Sequence, residues 1–326
     1  MTAANPAPEI SLVIPLLDER ESLPELAAWI ERVLGPGGVT PVAFEAWFID
    51  DGSSDGSWDE LVRLQQQYTW LRAVRFRRNY GKSAALNEGF SRAEGRVVIT
   101  LDADLQDSPD EIPALYSLIV NEGYDLVSGW KQKRYDPISK TVPSKLFNAV
   151  ARWTTGIQLN DFNSGLKAYR SEVVKAIEVY GEMHRYIPFL AKDAGFGRIG
   201  ERVVEHRARK FGKTKFGLER FVNGFLDLLT LTFVLRFRRK PMHFFGTMGL
   251  LASLLGAGIT GYLIVDKLMK IASGQPHRDV VEQPLFFLAL VAIILGVQLF
   301  LAGFLGELIA RTGHDRNQYV VERSTH

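Results

Sequence analysis

The chain contains no cysteine. That excludes a disulfide framework and thiolate metal sites, and it fits a reducing, cytoplasmic setting for the soluble part. A large charge imbalance is also missing: the net charge is +2 over 326 residues, so no global polyelectrolyte partner is implied. No long apolar run occurs before about residue 241. The first residues, Met1 to Pro8, are short, polar and proline-containing, unlike a secretory signal, and residues 1–8 are expected to form a disordered lead. Gly81-Lys82-Ser83 looks like the end of a phosphate loop, but the glycine that a Walker motif needs would fall at Phe76. The basic cluster Arg72, Arg75, Arg77 and Arg78 alternates along a strand and lacks interleaved stacking aromatics. A solvated or phosphate-facing edge is the better reading, and nucleic acid is not an expected partner.

What is present is a regular alternation. Apolar runs at Ile10–Pro15, Ala43–Ile49, Leu71–Phe76, Val97–Thr100 and Asp125–Gly129 read as strands. Helical patterns follow at about Ser22–Leu34, Ser57–Gln67 and Ala84–Ala93, and another starts at Ser108-Pro109-Asp110-Glu111. Strand, polar turn and helix in alternation predict an α/β fold with a mostly parallel, Rossmann-like sheet.

The most informative stretch is Leu101-Asp102-Ala103-Asp104-Leu105-Gln106-Asp107. It sits at the carboxyl end of the Val97–Thr100 strand, where open α/β sheets bind ligands. With an extended backbone, Asp102, Asp104 and Gln106 share one side. Hard oxygens converging there suit Mg²⁺ or Mn²⁺ beside a diphosphate. Asp50-Asp51-Gly52-Ser53, after the second strand, reads either as a turn and helix cap or as a ribose- or base-binding turn.

Later segments are more basic. Trp130 to Arg134 and Lys140 to Lys145 lie near the expected cleft mouth, and Ser144–Thr155 is expected to be helical. Asp161-Phe162-Asn163-Ser164-Gly165 is a polar turn before a strand-like Leu166–Tyr169. The loop Glu205 to Gly217 carries Arg209, Lys213 and Lys215; it can close over a diphosphate or reach a lipid phosphate. Leu218 to Leu235 reads as an amphipathic interfacial helix, and the basic run Arg236 to Lys240 follows it, which completes a juxtamembrane segment over 218–240. Two uncharged spans follow, Phe244–Val265 and Leu285–Gly306, each roughly 33 Å long as a helix and so matched to a bilayer core. The basic run places its side in the cytoplasm. Ser253, Ala257 and Gly261 recur at four-residue spacing, an expected close-packing face. The expected division is a lead over 1–8, a cytoplasmic catalytic domain over 9–217, a juxtamembrane segment over 218–240, two transmembrane helices within 241–310, and a cytoplasmic tail over 311–326.

Together these stretches resemble family 2 glycosyltransferases with a GT-A fold. More narrowly, they are similar to polyprenyl-phosphate glycosyltransferases: dolichol-phosphate mannose or glucose synthases and bacterial undecaprenyl-phosphate relatives. The carrying stretches are residues 13–21, 50–56, 78–82, 102–107, 161–170 and 209–217. The resemblance implies that Pro15, Glu19 and Asp51, with Lys82, hold the donor. Asp102 meets the nucleotide, and Asp104 with Gln106, beside Asp102, holds Mg²⁺ or Mn²⁺. It places Lys131, Lys145, Arg209, Lys213 and Lys215 near the donor diphosphate or acceptor phosphate. Asp161 and Ser164 face the sugar and acceptor; Asp102, Asp104, Asp161 and Arg209 are the catalytic candidates. The chain departs from the family pattern at Leu17, where many relatives carry an aromatic, and at Lys131, which is often Arg.

The implied activity is inverting transfer of a hexose from a nucleotide-diphosphate sugar, of UDP-glucose or GDP-mannose type, to polyprenyl phosphate. It would take place at the cytoplasmic face of the inner (plasma) membrane, in a multi-pass, tetrameric homo-oligomer. Two alternatives are a processive polysaccharide synthase and a non-enzymatic membrane-anchored nucleotide-sugar binder. The first needs a Gln-x-x-Arg-Trp pattern, and before Arg152-Trp153 the chain has Ala149 in place of Gln. The intact Asp102, Asp104 and Gln106 argue against the second.

Overall fold

The computed structural model describes residues 7–132, 148–149, 151–153, 155–181, 183–207, 210, 241–312 and 321–324. The chain divides into two compact units, residues 1–232 with 316–326, and residues 233–315.

The first unit is built on an eight-stranded mixed sheet. Its strands are β1 (Ile10–Leu16), β2 (Phe44–Asp50), β3 (Leu71–Phe76), β4 (Val97–Thr100), β5 (Leu126–Trp130), β6 (Lys167–Arg170), β7 (Ile199–Val203) and β8 (Val321–Ser324). The order is β7-β5-β6-β4-β1-β2-β3-β8. β3, β2, β1 and β4 are mutually parallel. β6 runs antiparallel between β4 and β5, and β8 pairs antiparallel with the β3 edge. The chain leaves β1 for β2 on one side and returns to β4 on the other. The loops after β1 and β4 therefore flank a topological switch point, the position at which such sheets take ligands.

The helices of this unit are α1 (Leu23–Leu34), α2 (Ser57–Gln65), α3 (Lys82–Arg92), α4 (Ile112–Val120), α5 (Ser171–Ala176) and α6 (Ile187–Asp193). The two-residue period of β2 explains the layering. Ala46 and Phe48 join a large core with Leu26, Ile30 and Leu34 of α1. Trp47 and Ile49 face the other way and pack with Ala85 of α3. The predicted strands and first helices all appear, with ends displaced by a residue or two. Of the expected 144–155 helix, the described residues 148–149, 151–153 and 155 are helical. The acidic-capped start at Ser108 opens with a short 3-10 turn before α4.

The second unit holds α7 (Pro241–Ala272) and α8 (Pro284–Thr312). Both are long and apolar enough to cross a membrane. They extend past the expected spans, and the link between them includes a 3-10 turn at Val280–Glu282. The helices pack antiparallel along small residues. A Cβ on Gly249 would lie 2.5 Å from the Gly296 carbonyl oxygen, and one on Gly256 2.5 Å from that of Ala289. The seam between the two helices is thus Gly249–Ser253–Gly256, and the expected Ser253–Ala257–Gly261 face lies mostly off it: Ala257 is exposed, and a Cβ on Gly261 would meet nothing within 4 Å. The reason is the helical period of 3.6 residues. A repeated step of four drifts around the helix, whereas alternating steps of four and three stay on one seam.

Residues 218–240, Lys145, Arg209, Lys213 and Lys215 lie outside the described residues, as do residues 1–6 of the expected lead. Near the C-terminus, β8 belongs to the first unit's sheet, where a tail was expected.

Candidate active site

The site forms where the loops after β1, β2, β3 and β4 meet. The loop after β1 is tied to the loop after β2. Ser53 Oγ accepts from the Asp18 N–H at 2.9 Å, Asp18 Oδ1 accepts from the Ser54 N–H at 2.8 Å, and Ser57 Oγ accepts from the Glu19 N–H at 3.0 Å. These bonds hold Asp18 in the left-handed region, φ 52°. Pro15 is buried in β1 opposite Ile49. Glu19 is half-buried at the loop's end, and its carbonyl accepts from Ser22 Oγ at 2.8 Å.

Asp51 is buried. Its carboxylate accepts the backbone N–H groups of Tyr80 at 2.7 Å and Gly81 at 2.9 Å. Burial pushes its pKa up despite those bonds. Asp50 beside it is also raised by burial; it accepts the Ser53 N–H at 2.8 Å and pairs with Arg75 at 3.5 Å. Of the four clustered arginines, Arg75 is thereby a structural partner, and Arg78 lies over the Tyr80 ring at 4.4 Å.

The turn after β4 is built differently. The backbone does not stay extended as expected; it turns through Ala103–Leu105, with Leu105 at φ 61°. That conformation costs a non-glycine residue about 1 kcal/mol, and burial of the Leu105 side chain in the core holds it there. The alternation survives the turn. Asp102, Asp104 and Gln106 are half-exposed, while Leu101, Ala103, Leu105 and Asp107 are buried. Asp104 Oδ1 accepts the Gln106 N–H at 3.2 Å. The Gln106 Nε2 donates to the Arg207 carbonyl at 3.4 Å, and the Arg207 N–H donates to the Gln106 carbonyl at 2.9 Å. The start of the basic loop therefore lies along this turn. Arg207 also stacks over Trp29 of α1 at 4.3 Å, and Lys210 pairs with Glu25 at 2.6 Å.

Lys82, the first residue of α3, donates to Asp102 Oδ1 at 2.6 Å. Burial opposes ionisation of Asp102, but the Lys82 and Lys131 charges outweigh it and hold the carboxyl down at about 2. Lys131 pairs with buried Asp107 at 2.7 Å. Burial works against the Lys131 charge, yet Asp107 and Asp102 hold its pKa above the ordinary lysine range. Asp161 is buried: its N–H donates to Glu201 at 3.0 Å, and its Oδ1 accepts the Asn163 N–H at 3.1 Å. Ser164 is buried too and donates to the Leu166 carbonyl at 3.3 Å, so it braces the turn from inside. The structure thus brings Lys82, Asp102, Lys131 and Asp161 into one electrostatic cluster. It ties Asp51 to that cluster through the Tyr80–Gly81 backbone.

Three residues of the site were not singled out from the sequence. Lys167 on β6 is buried, donates to the Ser164 carbonyl, and is pushed down to about 8 by burial. A lysine inside the apolar run Leu166–Tyr169 was the available signal. Ser83 and His184 form a pair, with Oγ and Nδ1 3.1 Å apart. Burial, then the charges of Lys82, Arg185 and Lys167, pushes His184 well below the usual imidazole range. Nothing local in the sequence joins these two, which are 101 residues apart.

Residues 11–178 match the model of glycosyl transferase family 2. The dodecaprenyl-phosphate galacturonate synthase of Rhizobium johnstonii is 36% identical over 93% of this chain and 88% of its own length. The undecaprenyl-phosphate 4-deoxy-4-formamido-L-arabinose transferase of Salmonella paratyphi A is 33% identical over 99% of this chain and 95% of its own. The chain belongs to glycosyltransferase family 2. Among solved structures, the glucosyl-3-phosphoglycerate synthase of Mycobacterium tuberculosis, crystallised with Mn²⁺, UDP-glucose and phosphoglyceric acid, superposes with a TM-score of 0.53 at 20% identity, over 70% of this chain and 79% of its own. That likeness carries the GT-A fold of the transferase.

The turn after β4 fits the divalent ion that such a fold implies. Among the described residues, no group of three or more His, Cys, Asp or Glu side chains could hold a metal unaided. Asp102, Asp104 and Gln106 instead offer half-exposed hard oxygens. This is the sparse donor set that leaves coordination positions for phosphate oxygens.

Proposed function

We propose that this transferase moves a sugar from a nucleoside-diphosphate sugar to polyprenyl phosphate at the cytoplasmic face of the inner membrane, with inversion at the sugar carbon. One observation carries the reading. The relatives named for dodecaprenyl- and undecaprenyl-phosphate align over 93% and 99% of the chain, the two long apolar helices included. The acceptor lipid and the anchoring helices belong together, because a polyprenyl chain presents its phosphate only at the bilayer surface.

The chemistry follows from the acceptor. A phosphate monoester has a second pKa near ~6 and is already an anionic nucleophile at neutral pH. Its oxygen attacks the anomeric carbon, and the bond to the diphosphate breaks with its electron pair leaving on the nucleoside diphosphate. A strong general base is not required. The demanding task is stabilising the leaving diphosphate. Asp104 and Gln106, with Asp102, would hold Mg²⁺ or Mn²⁺, which supplies Lewis-acid stabilisation of the departing phosphates. Lys82 and Lys131 add positive charge at the same end of the sheet. Asp161 accepts the Asn163 N–H and Lys167 donates to the Ser164 carbonyl, so both shape the turn that would face the sugar. The basic run Arg236 to Lys240 orients the catalytic unit to the cytoplasm.

The test is a transfer assay on detergent-purified protein with undecaprenyl phosphate, Mn²⁺ or Mg²⁺, and a panel of labelled nucleotide sugars that includes uronic acid and pentose donors. Label entering the lipid phase from one donor is the expected result. Donor hydrolysis with no labelled lipid, for every donor, would overturn the acceptor assignment.

A further inference from the structure

Asp102 lies among three lysines, Lys82, Lys131 and Lys167. Two are committed to other groups. Lys131 is paired with Asp107, and only 14% of its side chain is exposed. Lys167 is 3% exposed and donates to the Ser164 carbonyl. Lys82 differs on both counts: it touches Asp102 directly, at 2.6 Å, and 35% of its side chain is exposed. Its root is fixed, because the Asp51 carboxylate holds the Tyr80 and Gly81 N–H groups immediately before α3. Its four-carbon stem remains able to swing.

The far side of Asp102 is closed. A Cβ on Gly165 would lie 2.4 Å from Asp102 Oδ2, 2.6 Å from Cγ and 2.9 Å from Oδ1, so the 161–165 turn backs the whole carboxylate. On the open side Lys82 bonds Oδ1 at 2.6 Å. A divalent ion approaching this carboxylate meets an ammonium already there, with two further lysines behind it. Like charges at such range repel. A diphosphate arriving with the ion changes the balance, because it offers Lys82 a new anionic partner.

We propose that Lys82 is a placeholder for the divalent cation: it neutralises Asp102 while the cleft lacks ligand, and passes to the donor diphosphate when the ion and nucleotide arrive together. The proposal rests on the metal-assisted reading above and adds a property that reading does not contain. Metal and nucleotide bind cooperatively, each strengthening the other by the same factor, and Lys82 is the residue through which they are coupled.

Full-length protein in detergent is titrated with Mn²⁺ alone and with Mn²⁺ plus UDP or GDP, and free Mn²⁺ is read by electron paramagnetic resonance. In the wild type, Mn²⁺ alone binds weakly and nucleotide tightens it. Lys82→Met is expected to tighten binding of Mn²⁺ alone by about tenfold and to shrink the gain from nucleotide, a change within the usual range of coupling between sites. Lys82→Gln should behave likewise, while Lys82→Arg, which keeps the cation, should stay near the wild type. If Lys82→Met and Lys82→Gln bind Mn²⁺ no tighter than the wild type, the placeholder is wrong and the metal-assisted reading stands. If no variant binds Mn²⁺ with or without nucleotide, both fail.

Discussion

Two acid-rich turns flank β1 at the same end of the sheet, Asp50 to Asp55 after β2 and Asp102 to Asp107 after β4. Their compositions are alike, but their partners are not. In the first, carboxylates serve the fold: Asp51 takes two backbone N–H groups, Asp50 takes the Ser53 N–H, and Asp55 takes those of Arg20 and Ser57. In the second, Asp102 and Asp107 face lysine ammoniums, and Asp104 and Gln106 stay half-exposed. Backbone donors fix a carboxylate permanently. A half-exposed lysine such as Lys82 holds it in a form that a ligand can displace. An acidic turn is therefore read by its donors, and the sharpest way to test the contrast is to remove one acid from each.

Asp104→Ala should lower transfer by about a thousandfold, the scale of losing one preorganised electrostatic group, and leave the melting temperature close to wild type. Asp51→Ala should instead lower the melting temperature, with loss of transfer following from the loosened root of Lys82. The substitution strands two N–H groups at a buried carboxylate, and each unsatisfied buried group costs about 1–3 kcal/mol. Thermal melting and the transfer assay run on both variants decide the matter. A destabilised Asp104→Ala with an unaffected Asp51→Ala would invert the assignment.

A glycine touches each turn, which allows a finer comparison. Gly52 has φ 78°, and a Cβ there would lie 2.6 Å from the Arg78 carbonyl carbon. Neither the dihedral nor the backbone can yield, so Gly52→Ala should cost about 2 kcal/mol of stability. Gly165→Ala meets the Asp102 carboxylate instead, which is a side chain and can move. Stability should change little while transfer falls roughly tenfold through a displaced Asp102. Equal stability losses in the two variants would show that Asp102 is as immobile as backbone.

Much of this architecture is legible in the sequence, and the remainder fails for one reason. The parallel strands β1 to β4, and the placement of Asp102, Asp104 and Gln106 at a strand end, follow from local periodicity. The antiparallel insertion of β6, the strands β7 and β8, and the pairing of Ser83 with His184 depend on contacts between distant segments that no local pattern encodes. An extended backbone predicts the residue alternation of the 102–107 turn, which arises instead around a left-handed Leu105. Lys167 shows the same limit in reverse: its position inside an apolar run is visible, but its place behind Asp102 depends on β6 lying beside β4.

The smallest expected effect is the one that separates the turns by sign. With divalent ions chelated, Asp102 has its folded pKa lowered to about 2 from 3.8. The native state then binds fewer protons than the unfolded one, so its contribution is present above the unfolded value and lost as pH falls towards the folded one. Asp51 is raised by burial. Its contribution is complete below the unfolded value and lost as pH rises through the folded one. The stability difference between wild type and Asp102→Asn should therefore shrink by about 1 kcal/mol on acidification from about pH 6 to pH 3, and that between wild type and Asp51→Asn should shift in favour of the wild type. Melting curves across that range, in chelator, give both slopes. Slopes of the same sign would mean that ammonium and backbone donors hold the two carboxylates alike, and the distinction between the turns would then rest on exposure alone.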